Sequence, residues 1–315
     1  MAHIFEDKKN NAYPYVFLNA LDKLMLDGRE ASPRGMLTKE LDHCVFKIDP
    51  RKSLFVSPKR NLNFWFLLAE NLWYWSGRNA TGIPSTYVKN YKQFSDENLH
   101  QGAYSPQILE QIRFVINTLK EDKDTRQAVM SLWRPNPNKS KDTPCTLTFD
   151  FKIRDGKLNL HATMRSNDII FGNNYDIPSF SLLQIAVAGI LGIETGNLFL
   201  TAHSLHIYER HFKLAEELLE ESYHYLKYPE ELIIPQCNVG SLSKHIENIE
   251  MLLSAHYTMT WDSRAFYHTF EDFYQQYYLM MRLFAEDKND PETIEELKKI
   301  NSPFGYTHDY LSGKK

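Results

Sequence analysis

Residues 146–165 read TLTFDFKIRDGKLNLHATMR and carry the strongest structural signal in the chain. Polar and apolar residues alternate over Thr146–Ile153 and again over Leu158–Arg165, as in strands with one buried face. The Asp155-Gly156 pair between the two runs favours a tight turn. The stretch therefore predicts a β-hairpin that ends at Arg165-Ser166.

The segments around this hairpin predict an α+β fold in which a sheet of non-adjacent strands packs on long helices. Residues 62–76 are apolar nearly all round, which is typical of a buried helix, and Ser76-Gly77 would end it. A second buried helix is predicted at 179–193, opened by Ser179 or Ser181. Further strands are expected at 127–133 and 197–202, and further helices at 207–222 and 264–286.

The 315 residues show no repeat, no low-complexity linker and no shift in composition, so we expect residues 1–315 to form a single domain. The net charge of −4 argues against wrapping of nucleic acid and leaves a small anionic ligand to locally placed arginines. Three cysteines make neither a disulfide framework nor a zinc site. With no signal peptide and no apolar run long enough to cross a membrane, a cytoplasmic protein is expected.

Individual residues in this sequence carry little functional information on their own. Cys145, in TPCTL, is either a nucleophile or a small buried hydrophobic residue. Glu70 lies within an apolar helix, where function and a hidden partner are about equally good explanations. Asp176 suits helix capping as well as recognition, and His206 with Tyr208 suits the core as well as a sugar site. Arg29, Arg126, Arg165 and Ser166 would by default be solvated.

The order and spacing of these residues are far more specific. A Pro-Cys pair precedes a strand, DGKL forms a turn, RSND follows, G-x-x-x-D precedes a helix and H-x-Y follows a strand, all within Pro144–His211. Upstream stand KRNLNFWFLLAENLWYWSGRN, SDENLHQGAYSPQ and TRQAVMSLW. Over roughly residues 29–211 this pattern resembles the thymidylate synthase family, whose fold is a mixed sheet packed on long helices.

The resemblance implies a role for each matching position. Cys145 would attack C6 of a pyrimidine nucleoside monophosphate, and Glu70 and Tyr104 would manage proton transfers. The phosphate would be held by Arg29, Arg126, Arg165 and Ser166, and the sugar by His206 and Tyr208. The one-carbon donor, 5,10-methylenetetrahydrofolate, would lie near Lys59, Tyr91, Asp168 and Gly172. Arg126 would reach across the interface of a homodimer.

One departure from the family pattern bears on the substrate. The base-reading position, an asparagine in the synthases, is Asp176 here. A carboxylate accepts hydrogen bonds, so it suits the N4 amino group of cytosine and repels O4 of uracil. In this respect the chain resembles the deoxycytidylate and cytidylate 5-hydroxymethylases, which add water where synthases transfer hydride. Thr146 in place of the usual histidine, and the polar C-terminal YLSGKK, also depart from the synthases.

We therefore expect a 5-hydroxymethylase of CMP or dCMP, with the choice of sugar left open. One alternative is a thymidylate synthase acting on dUMP. Another is a catalytically idle relative that only binds nucleotide or RNA.

Overall fold

The structure is built around one mixed β-sheet. The computed structural model describes residues 2–96, 99–134, 140, 142–221, 229–258 and 270–311. Within those residues the strands are β1 (His3–Glu6), β2 (Arg29–Ala31), β3 (Thr38–Ile48), β4 (Val129–Ser131), β5 (Thr146–Arg154), β6 (Lys157–Met164), β7 (Asn167–Asp168) and β8 (Glu194–Tyr208). The order is β1-β3-β8-β6-β5-β4, with β2 beside β3 and β7 beside β8.

The hairpin predicted from residues 146–165 is confirmed as β5 and β6, which pair antiparallel. Its turn places Asp155 at φ 53° and Gly156 at φ 74°. Both residues need a positive φ in this type of turn, and Asp-Gly is a favourable pair for it. The hairpin thus ends with Arg165 directly after β6, next to the start of β5.

Strand β8 is much longer than the predicted 197–202. It runs antiparallel to β3 over most of its length and parallel to β6 at its first half. The extension to Tyr208 depends on pairing with β3, which lies more than 150 residues earlier in the chain and leaves no local signal. For the same reason the helix expected at 207–222 begins only at Phe212.

The helices cover the sheet on one side and continue beyond it. They are α1 (Tyr13–Asp27), α2 (Phe64–Tyr74), α3 (Gly82–Tyr87), α4 (Ser105–Glu121), α5 (Asn173–Leu191), α6 (Phe212–Glu220), α7 (Leu242–Thr258), α8 (Asp272–Ala285), α9 (Pro291–Lys299) and α10 (Phe304–Leu311). Residue 222, the part of the predicted aromatic helix before residue 270, and the tail after residue 311 lie outside the described residues.

Helices α2 and α5 are the two buried helices that the sequence predicted, and they pack on each other. The predicted start of α5 at Ser179 or Ser181 is wrong, because the helix begins at Asn173 and continues through Pro178. The side chain of Asn174 donates to the carbonyls of Ile169 and Ile170, which fixes the turn before the helix.

Helix α8 packs against α2. The hydroxyl of Tyr277 donates to Asn71 Oδ1 at 2.7 Å, and the Asn71 amide donates to the Ser179 carbonyl at 3.0 Å. Three helices are thereby joined through one buried asparagine. Among the described helices none is long and apolar enough to cross a membrane.

A buried aromatic pair links the hairpin to α5 and gives a direct test of this packing. Phe149 is fully buried, and its ring centroid lies 4.9 Å from that of Phe180. We expect Phe149→Ala to lower the free energy of unfolding by about 3–5 kcal/mol, because a large cavity remains. Urea denaturation measures this. Phe114→Ala, at a phenylalanine that is 53% exposed, is the matched control and should change stability little.

Candidate active site

Cys145 lies at the start of β5, and its thiol is half-buried. Nη2 of Arg165 lies 3.6 Å from its sulfur. Burial raises the pKa of the Cys145 thiol above its ordinary value, and the Arg165 guanidinium opposes that rise. The other two cysteines, Cys44 and Cys237, are buried, and burial raises the pKa of each to about 12. Of the three thiols, Cys145 is therefore the one placed to react.

Arg165 also fixes the loop that leads to Cys145. Its Nε donates to the Pro144 carbonyl at 2.8 Å and its Nη2 to the Thr143 carbonyl at 2.9 Å. The Arg165 backbone N–H donates to the Cys145 carbonyl at 2.9 Å. These three bonds hold the cysteine against the end of the hairpin.

Tyr104, directly before α4, contacts the same strand. Its hydroxyl oxygen accepts from the Thr146 hydroxyl at 2.9 Å and from the Thr146 backbone N–H at 3.3 Å. Burial raises the pKa of Tyr104 well above the ordinary range, so the phenol stays protonated. Because the oxygen already accepts hydrogen bonds, its proton remains available to a ligand.

Glu70 lies on α2 among apolar neighbours, as the sequence predicted. Burial raises its pKa to about 7, and a hydrogen bond from the Ser179 hydroxyl at 3.4 Å opposes the rise. A carboxyl that titrates near neutrality is able both to accept and to release a proton under physiological conditions.

Asp176 lies in the first turn of α5 but does not cap the helix, since Gly172 occupies the N-cap position. Its Oδ2 accepts from Asn167 Nδ2 at 2.8 Å. Burial, and after it the neighbouring Glu70 carboxylate, raise the pKa of Asp176 well above its ordinary range, while the Asn167 bond opposes this. Two carboxylates thus share one poorly solvated region.

A polar cavity of about 560 Å³ opens beside Arg165. His206 and Tyr208 line it together, with their rings 5.2 Å apart, so the prediction that they face the same side is confirmed. Ser166 also lines it, and its Oγ lies 3.5 Å from His206 Nδ1. Because guanidinium, hydroxyl and imidazole groups line it, the cavity suits an anionic, hydroxylated ligand.

The arginines of the predicted phosphate site differ in whether they line this cavity. Arg29 lies outside the lining of this cavity and pairs instead with Glu40 at 3.2 Å and Asp42 at 3.3 Å. Arg34 lines the cavity in its place. The sequence offered one signal for it, the Pro33-Arg34-Gly35 turn, in which Arg34 and Gly35 both take positive φ. Arg126 is exposed on the segment before β4 and also lies outside the lining.

The residues expected near the one-carbon donor lie around the start of α5 and the start of α2. Asp168 Oδ1 accepts from the backbone N–H groups of Ile170 and Phe171. A Cβ at Gly172 would come within 3.2 Å of Asp176 Oδ2 and of the Asp168 carbonyl, so only glycine fits without displacement. Lys59 forms ion pairs with Glu217 and Glu221.

Tyr91 packs among aromatic rings, 5.5 Å from Phe66 and 4.8 Å from His100. His100 was not singled out from the sequence. Its Nδ1 lies 2.9 Å from Asp142 Oδ2, and that oxygen also accepts from the Gly102 backbone N–H at 3.2 Å. This contact ties the loop before Cys145 to the segment that leads to Tyr104.

A family model described as thymidylate synthase matches residues 15–251. The chain belongs to the thymidylate synthase family. This membership confirms the expected fold, a mixed sheet packed on long helices. The matched range contains Cys145, the carboxyls of Glu70 and Asp176 and the polar cavity, but not α8, α9 or α10.

Three curated relatives in the thymidylate synthase family are similar to this chain. A deoxyuridylate hydroxymethyltransferase of Bacillus phage SP01 is 34% identical over 218 residues, 61% of this chain and 56% of the relative. A deoxyuridylate hydroxymethyltransferase of Pseudomonas phage M6 is 32% identical over 180 residues, 51% of each chain. A putative thymidylate synthase of Methanothermobacter marburgensis is 29% identical over 217 residues, 65% of this chain and 93% of the relative. The match thus spans only about half the length of each phage protein.

The position of Cys145 beside Arg165 predicts its reactivity. We expect iodoacetamide to modify Cys145 first, at a rate that is still rising above pH 8.5, because the raised pKa delays formation of the thiolate. In Arg165→Gln the pKa of Cys145 should rise further. Alkylation at pH 8 should then slow by about 3- to 10-fold, because a rise of one pKa unit lowers the thiolate fraction roughly tenfold. Peptide mass mapping over time measures both rates.

Arg113→Gln is the control, because it removes an exposed arginine of α4 that lies outside the cavity lining. Faster alkylation in Arg165→Gln than in the unmodified protein would contradict the electrostatic role of Arg165.

Proposed function

We propose that this protein transfers a one-carbon unit from 5,10-methylenetetrahydrofolate to C5 of a pyrimidine nucleoside monophosphate. The observation that carries the proposal is the convergence of Cys145, Arg165, Tyr104, Glu70 and Asp176 beside a polar cavity in a thymidylate synthase fold. The names of the phage relatives, both hydroxymethyltransferases, support the same reaction class.

The nucleotide would bind with its phosphate toward Arg34 and Arg165 and its sugar toward His206 and Tyr208. Arg165 serves twice in this arrangement, since its guanidinium also lies 3.6 Å from the Cys145 sulfur. The thiolate adds to C6 of the base, and C5 becomes nucleophilic as the C5–C6 double bond opens. Loss of the C5 proton and release of Cys145 later restore that double bond, so the thiol is regenerated.

Proton transfer in this scheme falls to Glu70 and Tyr104. Glu70, with a pKa of about 7, exchanges protons with the base or with water. Tyr104 holds its proton and donates a hydrogen bond from a fixed position, because Thr146 anchors its oxygen. The region is poorly solvated, which strengthens each of these interactions.

The residues around the start of α5 fit the folate donor. Asp168 offers a carboxylate oriented by two backbone N–H groups, and Gly172 leaves space that a side chain would fill. Tyr91 adds an aromatic surface. The bound donor supplies the methylene carbon that C5 acquires.

For the base we propose cytosine, and for the product the 5-hydroxymethyl nucleotide. Asp176 in its anionic form accepts from the N4 amino group of cytosine and repels O4 of uracil. Addition of one water molecule to the methylene group on C5 completes the hydroxymethyl group, and tetrahydrofolate leaves without oxidation.

A uracil nucleotide is the second candidate, and two observations favour it. Burial raises the pKa of Asp176 well above its ordinary range, and a protonated carboxyl donates to O4 of uracil while accepting from N3–H. Two relatives are named deoxyuridylate hydroxymethyltransferases. The choice between the two bases therefore depends on the protonation state of Asp176.

Product masses distinguish these candidates. We expect the purified protein, given methylenetetrahydrofolate and separately CMP, dCMP, UMP or dUMP, to add a hydroxymethyl group to a cytosine nucleotide. Cys145→Ala should abolish the product, and Asp176→Asn should move preference toward uracil by about 100-fold or more, because a mismatch leaves buried polar groups unpaired.

A methylated dUMP with formation of dihydrofolate would indicate a thymidylate synthase. Nucleotide binding without any product, in a protein that also fails to exchange the C5 proton, would identify an idle relative and overturn the proposal.

We further propose a homodimer in which Arg126 reaches the phosphate in the partner's cavity. Val45, Phe199 and Thr201 alternate with buried residues of β3 and β8, so they lie part-exposed on the face of the sheet away from the core. A sheet face with exposed apolar side chains is suited to burial against a second copy.

Mixing two inactive variants tests the dimer. Arg126→Glu and Cys145→Ala should each lose activity alone. After subunit exchange, the hybrid dimer has one site with an intact cysteine and an intact partner arginine, so about one quarter of activity should return at equal mixing. No recovery, despite exchange demonstrated by mass spectrometry, would contradict the role of Arg126 across the interface.

A further inference from the structure

A chain of buried hydrogen bonds leads from α1 to Asp176. The Tyr13 hydroxyl donates to Asn173 Oδ1 at 2.7 Å, Asn173 Nδ2 donates to Asn167 Oδ1 at 2.7 Å, and Asn167 Nδ2 donates to Asp176 Oδ2 at 2.8 Å. Tyr13 and Asn173 are fully buried, and Asn167 is 2% exposed. These three buried side chains thus form a series of hydrogen bonds that ends at Asp176, the carboxyl proposed to bind the base.

The groups around these hydrogen bonds determine which atom donates and which accepts in each of them. Asn174 uses its amide nitrogen on the carbonyls of Ile169 and Ile170, so its Oδ1, 3.2 Å from the Tyr13 hydroxyl, is available only to accept. The Tyr13 hydroxyl therefore lies between two amide oxygens and acts as the donor. At the other end, Asn167 Nδ2 lies 3.3 Å from Met164 Sδ as well as near Asp176, and sulfur is a weak acceptor.

This direction places a donor against Oδ2 of Asp176 and leaves Oδ1 for a ligand. Two charged groups near Asp176, the carboxylates of Glu70 and Asp168, oppose its ionisation. The other titratable neighbours are neutral groups whose own pKa values Asp176 raises, namely the thiol of Cys145 and the phenols of Tyr74, Tyr91 and Tyr104. Among the groups that act most strongly on Asp176, Asn167 alone favours the anion.

We propose that Asn167 is a positioning residue that sets base preference by holding Asp176 as a hydrogen-bond acceptor toward the nucleotide. This inference rests on the proposed function. With Asn167 in place, Asp176 presents an acceptor and selects the amino group of cytosine. Without that donor, Asp176 takes up a proton and presents a hydroxyl, which matches O4 of uracil.

Nucleotide binding as a function of pH tests the proposal in the full-length protein. Dissociation constants for dCMP, dUMP, CMP and UMP would be measured by calorimetry between pH 5 and pH 9. This range includes the pH values at which most proteins are most stable. In Asn167→Leu, which matches asparagine in shape but lacks the donor, we expect cytosine preference at pH 7 to fall by about tenfold, the equivalent of roughly one pKa unit.

The pH dependence of nucleotide binding gives a more specific prediction. Loss of the Asn167 donor raises the pKa of Asp176 further, so the carboxyl stays protonated to higher pH. Binding of the uracil nucleotide should therefore persist to higher pH in Asn167→Leu than in the unmodified protein. Asn167→Asp, which replaces the donor by an acceptor, should move the profile further in the same direction.

Two other variants separate this role from a structural one. Tyr13→Phe leaves Asn167 in place and removes only the distant donor, so it should give a smaller shift in the same direction even if Asn167→Leu folds poorly. Asn248→Leu, at a 5% exposed asparagine of α7, is the matched control and should leave base preference and pH profile unchanged.

A direct measurement of the ionisation of Asp176 distinguishes the possible outcomes. Carbon-13 labelling of aspartate, with Asp176→Asn for assignment, reports the ionisation of this carboxyl without any nucleotide. Unchanged ionisation and unchanged base preference in Asn167→Leu would overturn the role of Asn167. An unmodified protein that binds none of the four nucleotides would overturn the proposed function instead, whatever the carbon titration shows.

Discussion

The contact between α2 and α5 places two carboxyl groups, Glu70 and Asp176, in the same poorly solvated region. Both helices are apolar on nearly every side, so their packing removes water and each carboxyl loses hydration that would favour its anion. Neither charge has an arginine or lysine as its main partner; hydrogen bonds from Ser179 and Asn167 are what support them. Glu70, whose pKa is raised to about 7, is therefore able to exchange protons near neutral pH, which is the property proton-transfer chemistry requires.

Cys145 has a different setting, at the open end of the β5–β6 hairpin next to the Arg165 guanidinium. Because β5 and β6 are joined by a two-residue turn, the position of Cys145 at the start of one strand fixes Arg165 at the end of the other. The loop before Cys145 is tied down by Arg165 on one side and by the His100–Asp142 contact on the other.

Local sequence signals predicted the parts of this arrangement that depend on neighbouring residues. The hairpin, the two apolar helices and the pairing of His206 with Tyr208 on one face follow from alternation, turn chemistry and residue spacing. The start of α5 did not follow, because Pro178 and two serines suggested a helix that begins later. The asparagines that fix the true start make their contacts through tertiary structure. Local sequence likewise does not distinguish Arg29 from Arg34, because both lie in one polar stretch. The acidic residues of β3 that bind Arg29 are identified only when β2 pairs with β3.

The sequence by itself determined the family pattern, the presence of a cysteine at position 145 and the departure from asparagine at Asp176, because these depend on residue type and order along the chain. Only the tertiary structure decided which arginine reaches the cavity, how far β8 extends, and what surrounds Asp176. The hydrogen bonds from Tyr13 through Asn173 and Asn167 join α1, α5 and β7, segments up to 160 residues apart. The ionisation of a buried carboxyl is set by such neighbours, and their distances exist only once the helices have packed on the sheet.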